Sequence, residues 1–78
     1  MKTITLSYPT YRTVTINVER LPLKYREWLD AVFTDEENRT DEQWHFAEEN
    51  NFYPEIIEEA TGDTIHPWTD VDIEDYEV

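Results

Sequence analysis

The sequence predicts a small α+β domain in which an N-terminal antiparallel β-hairpin packs against two or three α-helices. Two observations carry this prediction: alternating apolar and polar residues near the N-terminus, and apolar residues at helical spacing through the middle of the chain. A period of two residues indicates a half-buried strand, and a period near 3.6 indicates an amphipathic helix. A chain of 78 residues has room for one domain, and we predict a single acidic domain over residues 1–78.

The hairpin is predicted from residues 3–8 and 13–18, which each place three apolar side chains on one face and Thr, Ser or Asn on the other. Residues 9–12 read as the turn between them. The apolar positions are Ile4, Leu6 and Tyr8 in the first strand, and Val14, Ile16 and Val18 in the second. One face of this hairpin is expected to be wet and the other to need a cover.

The first helix is predicted to begin at Pro22, because the N–H that proline lacks needs no partner in the first position of a helix. Up to Phe33, the large apolar residues fall on one side of the helix, which is therefore expected to cover the hairpin. The predicted common core contains Ile4, Leu6, Val14, Ile16, Trp28, Leu29 and Val32.

A polar loop with three successive acids, Asp35, Glu36 and Glu37, separates this helix from the next. Thr40 and Gln43 have the spacing of a capping box, which predicts a second helix that runs to about residue 50. One face of that helix carries Asp41, Glu42, His45, Glu48 and Glu49, and the other carries Trp44, Phe46 and Ala47.

A third short helix is predicted over residues 54–61, with Gly62 as its left-handed cap. Glu55, Glu58 and Glu59 share one face of it, opposite Ile56, Ile57 and Ala60. No basic residue in the segment relieves their repulsion, so a face with a role other than helix stability is expected.

Residues 63–68 are ambiguous, and Trp68 either closes the core or anchors an interface; the core is the favoured prediction. Residues 69–78 are either a third strand or a frayed tail. Asp70, Asp72 and Glu74 alternate there with Val71 and Ile73, which would space the carboxylates about 6.6–6.8 Å apart along a strand. Phosphates on one DNA strand have a similar separation of about 7 Å. The competing structural reading is an edge strand that carries charge to stay unpaired.

The net charge of −13 is unevenly distributed along the chain. Residues 1–33 carry five basic and three acidic side chains, whereas residues 34–78 carry one basic and sixteen acidic ones. Disorder, adaptation to high salt, or a strongly positive partner would each account for such an excess. Three Trp, five Tyr and three Phe argue against disorder for most of the chain.

Catalytic and metal-binding motifs are missing from the sequence. Ser7 is the only serine, His45 and His66 lack the spacing of a zincin, and no cysteine is present. Asp70 begins a pattern like that of a calcium loop, but Asp75 stands where such a loop needs glycine. We therefore expect no enzyme, no metal site and no cofactor. Direct binding to DNA or RNA is not expected either, because a nucleic-acid footprint is basic.

In size, lack of cysteine, acidity and carboxylates ordered on helix and strand faces, the chain resembles the small acidic DNA-mimic inhibitors of phages and mobile elements, such as anti-restriction and anti-CRISPR proteins. The resemblance covers about the last 45 residues and includes no signature motif. It implies occlusion of the DNA- or RNA-binding groove of a bacterial defence effector, because carboxylates can meet the Lys and Arg that normally meet phosphate. The expected contact residues are Asp35, Glu36, Glu37, Asp41, Glu42, Glu48, Glu49, Glu55, Glu58, Glu59, Asp70, Asp72, Glu74, Asp75 and Glu77.

The alternative is an acidic interaction module, antitoxin-like or an adaptor, that binds a basic protein through a few aromatic anchors such as Trp68 or Tyr76. The start of the chain lacks the apolar run of a signal peptide, and no stretch approaches the length of a membrane span. The expected location is the cytoplasm of a bacterial host.

Overall fold

The computed structural model describes residues 2–9 and 12–77. Over that part of the chain it has three strands and three α-helices, so the predicted α+β class and the C-terminal third strand are confirmed. The elements are β1 (Thr3–Tyr8), β2 (Arg12–Asn17), α1 (Leu23–Phe33), α2 (Asp41–Glu49), α3 (Tyr53–Thr61) and β3 (Asp72–Glu77). The chain divides into a sheet unit, Met1–Leu21 with Tyr53–Val78, and a helical unit, Pro22–Phe52. The single domain over residues 1–78 stays a prediction.

The three strands form one antiparallel sheet in the order β2-β1-β3. The hairpin of β1 and β2 pairs Ile4 with Ile16 and Leu6 with Val14, which confirms the predicted apolar face. Two of the predicted turn residues, Thr10 and Tyr11, lie outside the described residues.

The second strand ends at Asn17, one residue earlier than predicted, because a short 3-10 turn takes over at Val18. The Asn17 side chain accepts a hydrogen bond from the Glu19 N–H at 3.1 Å, which caps that turn. Val18 is nevertheless buried, as its place in the pattern predicted.

Strand β3 pairs with β1 through a register that shifts once, between Thr5 and Leu6 of β1. Ile73 lies opposite Leu6 and Asp75 lies opposite Thr5, so Glu74 is an extra residue without a partner across the ladder. Such a β-bulge places two residues of one strand against one of its neighbour and interrupts the alternation of side chains. The alternation of acidic and apolar residues that the sequence shows over residues 70–74 therefore does not continue beyond Glu74.

In the sheet unit, helix α3 packs against strand β2. Burial is complete for Ile4 and Leu6 of the sheet and for Ile56 and Ile57 of the helix. The helix ends as predicted at Gly62, whose φ of 78° is left-handed and whose N–H bonds the Glu58 carbonyl at 2.8 Å.

Trp68 contradicts the favoured prediction that it closes the core. Its side chain is 77% exposed, and it lies in a turn between α3 and β3. The pattern around it gave no face on which to place it, because Pro67 precludes a regular element there. The prediction of a core residue is therefore wrong, and the interface alternative remains.

The helical unit is built from α1 packed against α2, with Phe52 in contact with both helices. The Phe52 ring makes edge-on contacts with Tyr25, Trp28 and Phe46 at centroid distances of 5.6, 5.5 and 6.0 Å. Trp28 is 2% exposed, which confirms that it is buried. These edge-on aromatic contacts contribute to the stability of the helical unit, because aromatic side chains bury large areas.

The helix ends follow the sequence closely. Thr40 and Gln43 form both hydrogen bonds of the predicted capping box, at 3.1 and 3.0 Å. Pro22 was predicted to be the first residue of α1 but is its N-cap, so the helix begins one residue later, at Leu23. The Pro22 carbonyl accepts hydrogen bonds from the Tyr25 and Arg26 N–H groups. The loop with Asp35 contains one turn of 3-10 helix, Glu36–Asn38.

Burial separates the predicted core into two groups. Ile4, Leu6, Ile16, Trp28 and Leu29 are buried, and Val14 and Val32 are half-buried. A common core, with α1 as the cover of the hairpin, would join the two units and stays a prediction. Among the described residues, no helix is long and apolar enough to cross a membrane.

Candidate functional site

The polar face of the sheet gathers four carboxylates on strand β3. Residues directly opposite each other in an antiparallel pair share a face. Asp72, Asp75 and Glu77 lie opposite Ser7, Thr5 and Thr3, which alternate with the buried residues of β1. Glu74 joins the same face, because the Ser7 hydroxyl donates a 2.7 Å hydrogen bond to its Oε1. We call Asp72, Glu74, Asp75 and Glu77 the acidic sheet face.

The β-bulge is what collects these four side chains. In a regular strand, Asp75 and Glu77 would lie on the same face as Ile73, and Tyr76 would lie with Glu74. The extra residue shifts the phase, so that Ile73 and Tyr76 lie opposite Leu6 and Ile4 on the apolar side. All the carboxylates of β3 consequently lie on the polar side.

Among the strand residues, the neighbours of the acidic sheet face are uncharged. The other strand residues on this side are Thr3, Thr5, Ser7, Thr13, Thr15 and Asn17. The hydroxyls of Thr5 and Thr15 are 3.0 Å apart and bond each other across the hairpin. Within the three strands, the one basic residue is Arg12, which lies opposite the buried Tyr8 and pairs with Asp63 at 3.0 Å. The face therefore has hydroxyl neighbours but no cation from the strands to neutralise it.

An open cleft of about 450 Å³, which we call the acidic cleft, lies at one end of this face. Its carboxylates are Asp70, Asp72 and Glu74, and Ser7 and Thr13 contribute hydroxyls to its lining. Asp70 precedes β3 and so is not part of a strand, which corrects the predicted ladder of three evenly spaced carboxylates. The cleft nevertheless brings these three predicted contact residues together.

The predicted contact residues of the helical unit are all exposed, but two of them have partners within it. Glu48 lies 3.6 Å from Arg39, and Glu49 lies 3.2 Å from His45. Arg39 also donates to the carbonyls of Val32 and Thr34, which holds the 34–39 loop to the end of α1. The rest of this surface consists of Asp35, Glu36, Glu37, Asp41 and Glu42, which are all exposed.

A second acidic cleft, of about 410 Å³, lies in the helical unit. Glu27 and Asp30 of α1 face Glu42 of α2 across a floor that includes Ala31 and Phe46. Glu27 and Asp30 are not among the contact residues predicted from the sequence. Their spacing of three residues on the polar side of α1 was the available signal, since it places both on one helix face.

The predicted acidic face of α3 is not uniformly exposed. Glu58 accepts a 2.7 Å hydrogen bond from the Ile65 N–H, which fastens the following loop to the helix. Glu55 and Glu58 are half-buried, and Glu59 alone of the three is exposed. The Ile65 N–H therefore offsets part of the repulsion among the three glutamates, for which the segment has no basic residue.

Trp68 forms the most exposed aromatic surface of the described chain. Its ring stacks on His66 with a centroid distance of 4.6 Å and an interplanar angle of 7°. The Thr69 N–H donates to the His66 carbonyl at 3.0 Å and closes the turn between them. Along the chain, this aromatic stack follows Asp63 to Ile65 and precedes Asp70, which lines the acidic cleft.

Features of enzymatic sites are sparse in the described residues. No group of three or more His, Asp and Glu side chains there could hold a metal ion. Burial raises the pKa of the half-buried Tyr53 phenol to about 12, so it stays protonated at neutral pH. A comparison with models of protein families, with curated proteins and with solved structures finds no match.

Proposed function

We propose that this protein is a nucleic-acid mimic that inhibits a bacterial defence effector, a CRISPR-associated or restriction enzyme, by occluding its DNA- or RNA-binding groove. The observation that carries the proposal is the acidic sheet face, on which a β-bulge collects four carboxylates with no basic strand residue among them. Charges and bulges also protect the edges of sheets, so the proposal depends on the placement of all four carboxylates on one side without a basic strand residue among them.

The chemistry of the contact follows from the similarity of carboxylate and phosphate. Both are anionic oxygen acceptors of charge-assisted hydrogen bonds from Lys and Arg, and Arg can bind either one through two parallel bonds. Asp75 and Glu77, which follow the bulge, are two residues apart, about 6.6–6.8 Å along a regular strand. This pair therefore approaches the separation of about 7 Å between phosphates on one DNA strand.

The acidic cleft extends this surface beyond the strand. Asp70 adds a carboxylate where β3 has not yet begun, and the cleft walls are otherwise hydroxyl-bearing or apolar. A basic side chain that enters would find two or three acceptors at once, which is the arrangement that a phosphate-binding Lys or Arg meets on a nucleic-acid backbone.

A second candidate function, an acidic interaction module for a basic protein unrelated to nucleic acid, is favoured by Trp68. Interaction energy in protein complexes is concentrated in a few residues, among which Trp is enriched. An indole that is 77% exposed on a closed turn has the properties of such an anchor. Competition by nucleic acid separates the two functions, because only a mimic occupies the groove that nucleic acid needs.

The experiment that tests the proposal is capture of bacterial proteins on the immobilised chain, followed by elution with DNA or RNA oligonucleotides. Retained proteins are identified, and each is purified for a competition assay. We expect a nucleic-acid-binding effector that the oligonucleotide displaces, and an affinity that falls steeply with salt because the contacts are ionic. A partner that binds equally well with its nucleic acid in place would contradict the mimic and support the interaction module.

Two variants with equal net charge show whether the acidic sheet face is responsible. The test variant combines Asp72→Lys, Glu74→Lys and Asp75→Lys; the control combines Glu19→Lys, Glu27→Lys and Asp30→Lys, which are not among the predicted contact residues. All six positions are exposed, so both variants should fold. Loss of binding in the first and retention in the second is the expected result. Equal losses would show that net charge alone matters and would contradict a specific face.

A further inference from the structure

We infer that the Trp68–His66 stack is a platform for an arginine side chain of the partner, beside the carboxylates of the acidic cleft. The inference rests on the proposed function in one respect, that the partner is basic. It goes further by naming arginine as the residue that the platform selects and Trp68 as the group that selects it.

The stack is a preformed aromatic surface. Trp68 and His66 are almost parallel, at 7°, and the hydrogen bond from Thr69 to the His66 carbonyl closes the turn that holds them. With one ring face of Trp68 against His66, its exposed fraction of 77% leaves the other face accessible. Little conformational entropy is lost when a partner binds a side chain that is already held.

The surroundings of the stack favour a cation. His66 lines an open cleft of about 370 Å³ that shares Tyr8 and Pro9 with the acidic cleft, so the two are neighbours on the sheet unit. The cation within the first cleft, Arg12, is paired with Asp63 at 3.0 Å. Asp70, two residues after Trp68, lines the acidic cleft. A cation over the indole would therefore lie two residues along the chain from Asp70 of the acidic cleft, and the nearby cation, Arg12, is already neutralised by its own partner.

Arginine suits this arrangement better than lysine. A guanidinium is planar and weakly hydrated, so it stacks on an aromatic ring while its N–H groups stay free in the plane of the stack. Those N–H groups can then bind carboxylates beside the ring. An ammonium group gains the cation–π attraction alone and loses more hydration.

The same geometry extends the imitation of nucleic acid from the backbone to the bases. Proteins that bind single strands stack aromatic rings and arginine planes on exposed bases, and contact the phosphates beside them. In this chain, the two stacked aromatic rings precede Asp70 by two and four residues, and the proposed imitation makes that carboxylate the counterpart of a phosphate. A second copy of the chain is a poor occupant of the platform, since two chains of charge −13 repel each other.

Nona-arginine and nona-lysine peptides, which carry equal charge, test the inference without an identified partner. Their affinities are measured by calorimetry at low salt for the unaltered protein, Trp68→Ala, Trp68→Phe and Trp44→Ala. Trp44 is the matched control, because it is 49% exposed and contacts His45 edge-on at 5.6 Å, in the helical unit. We expect Trp68→Ala to weaken the binding of nona-arginine about 2- to 30-fold, the range of cation–π effects, and to weaken that of nona-lysine less, so that the preference for arginine falls. The preference of Trp68→Phe for arginine should lie between those of the unaltered protein and Trp68→Ala. Trp44→Ala should keep the preference of the unaltered protein.

The outcomes separate this inference from the proposed function. A ratio of arginine to lysine affinity that is unchanged in folded Trp68→Ala would overturn the platform, while binding of both peptides would still support a cation-binding acidic surface. Binding of neither peptide to the unaltered protein would contradict the proposed function itself. Because Trp68 is exposed, circular dichroism should show all three tryptophan variants folded.

Discussion

Ser7 on the central strand donates a hydrogen bond of 2.7 Å to Glu74 on the edge strand. Glu74 is the bulged residue of β3, which has no partner in the ladder. The bond holds the carboxylate of the bulged residue on the polar side of the sheet. It is therefore the contact through which the bulge and the acidic sheet face depend on each other.

Deletion of Glu74 should leave the fold intact. Without the extra residue, β3 would alternate regularly, with Ile73 and Tyr76 on the apolar side and three carboxylates on the polar side. We expect a melting temperature close to that of the unaltered protein and weaker binding to nona-arginine, since one carboxylate is lost. Thermal unfolding followed by circular dichroism, with calorimetry for the peptide, measures both.

Deletion of Ile73 is the matched control for that experiment. It leaves five residues in the same strand but removes the apolar side chain opposite Leu6, so that a charged residue takes its position. We expect a clear fall in melting temperature, of about 4–8 °C for each kcal/mol lost. Similar effects of the two deletions would show that the strand has no preferred register.

Leu29→Ala should destabilise the protein strongly, because Leu29 is 0% exposed in α1. Replacement of a buried leucine removes packed methyl groups and leaves a cavity, at a cost of about 2–5 kcal/mol. Leu23→Ala in the same helix is the control, since Leu23 is 58% exposed and should change the free energy of unfolding by less than about 0.5 kcal/mol. Urea unfolding measures both; equal costs would refute the burial of Leu29.

Salt should stabilise the protein in the absence of a partner. With a net charge of −13, self-repulsion opposes the compact state, and raising the ionic strength from 0.01 to 0.15 M shortens its range from about 30 to about 8 Å. The melting temperature should rise by a few degrees, at about 4–8 °C for each kcal/mol. The triple Lys variant of the acidic sheet face should show a smaller rise. A steady fall would instead mean that the ion pairs of Arg12 and Arg39 outweigh the repulsion.

Alkaline pH should destabilise the protein through Tyr53. Its folded-state pKa of about 12 lies above the ordinary value of 10.0, so the unfolded chain releases the proton first. The contribution of the protonated phenol to the free energy of unfolding is complete below pH 10 and is lost as the pH rises toward 12. The loss amounts to about 1 kcal/mol after allowance for the partial exposure of the side chain. Tyr53→Phe should remove this part of the pH dependence, measured as the difference between two urea-unfolding series. Parallel pH profiles would contradict the raised pKa.

Local patterns in the sequence were sufficient to predict most secondary structure. The alternation in β1 and β2, the capping box of Thr40 and Gln43, and the lone glycine at residue 62 each act within a few residues. The energies that place them are backbone hydrogen bonds and conformational preferences, which depend on neighbours along the chain. The acidity of the C-terminal half was equally visible, since it is a property of composition.

The tertiary structure decided how the acidic residues are used. Whether residues 72–77 form a strand depends on an edge of β1, 67 residues away in the case of Ser7 and Glu74, and the bulge exists only relative to that partner. Shorter-range contacts beyond helix spacing also contributed, since Glu58 bonds the Ile65 N–H seven residues on and Glu48 pairs with Arg39, and Trp68 is left exposed. A sequence shows which side chains carry charge or aromatic surface, but their partners are chosen by contacts between distant segments, because hydrogen bonds and ion pairs form across space and not along the chain.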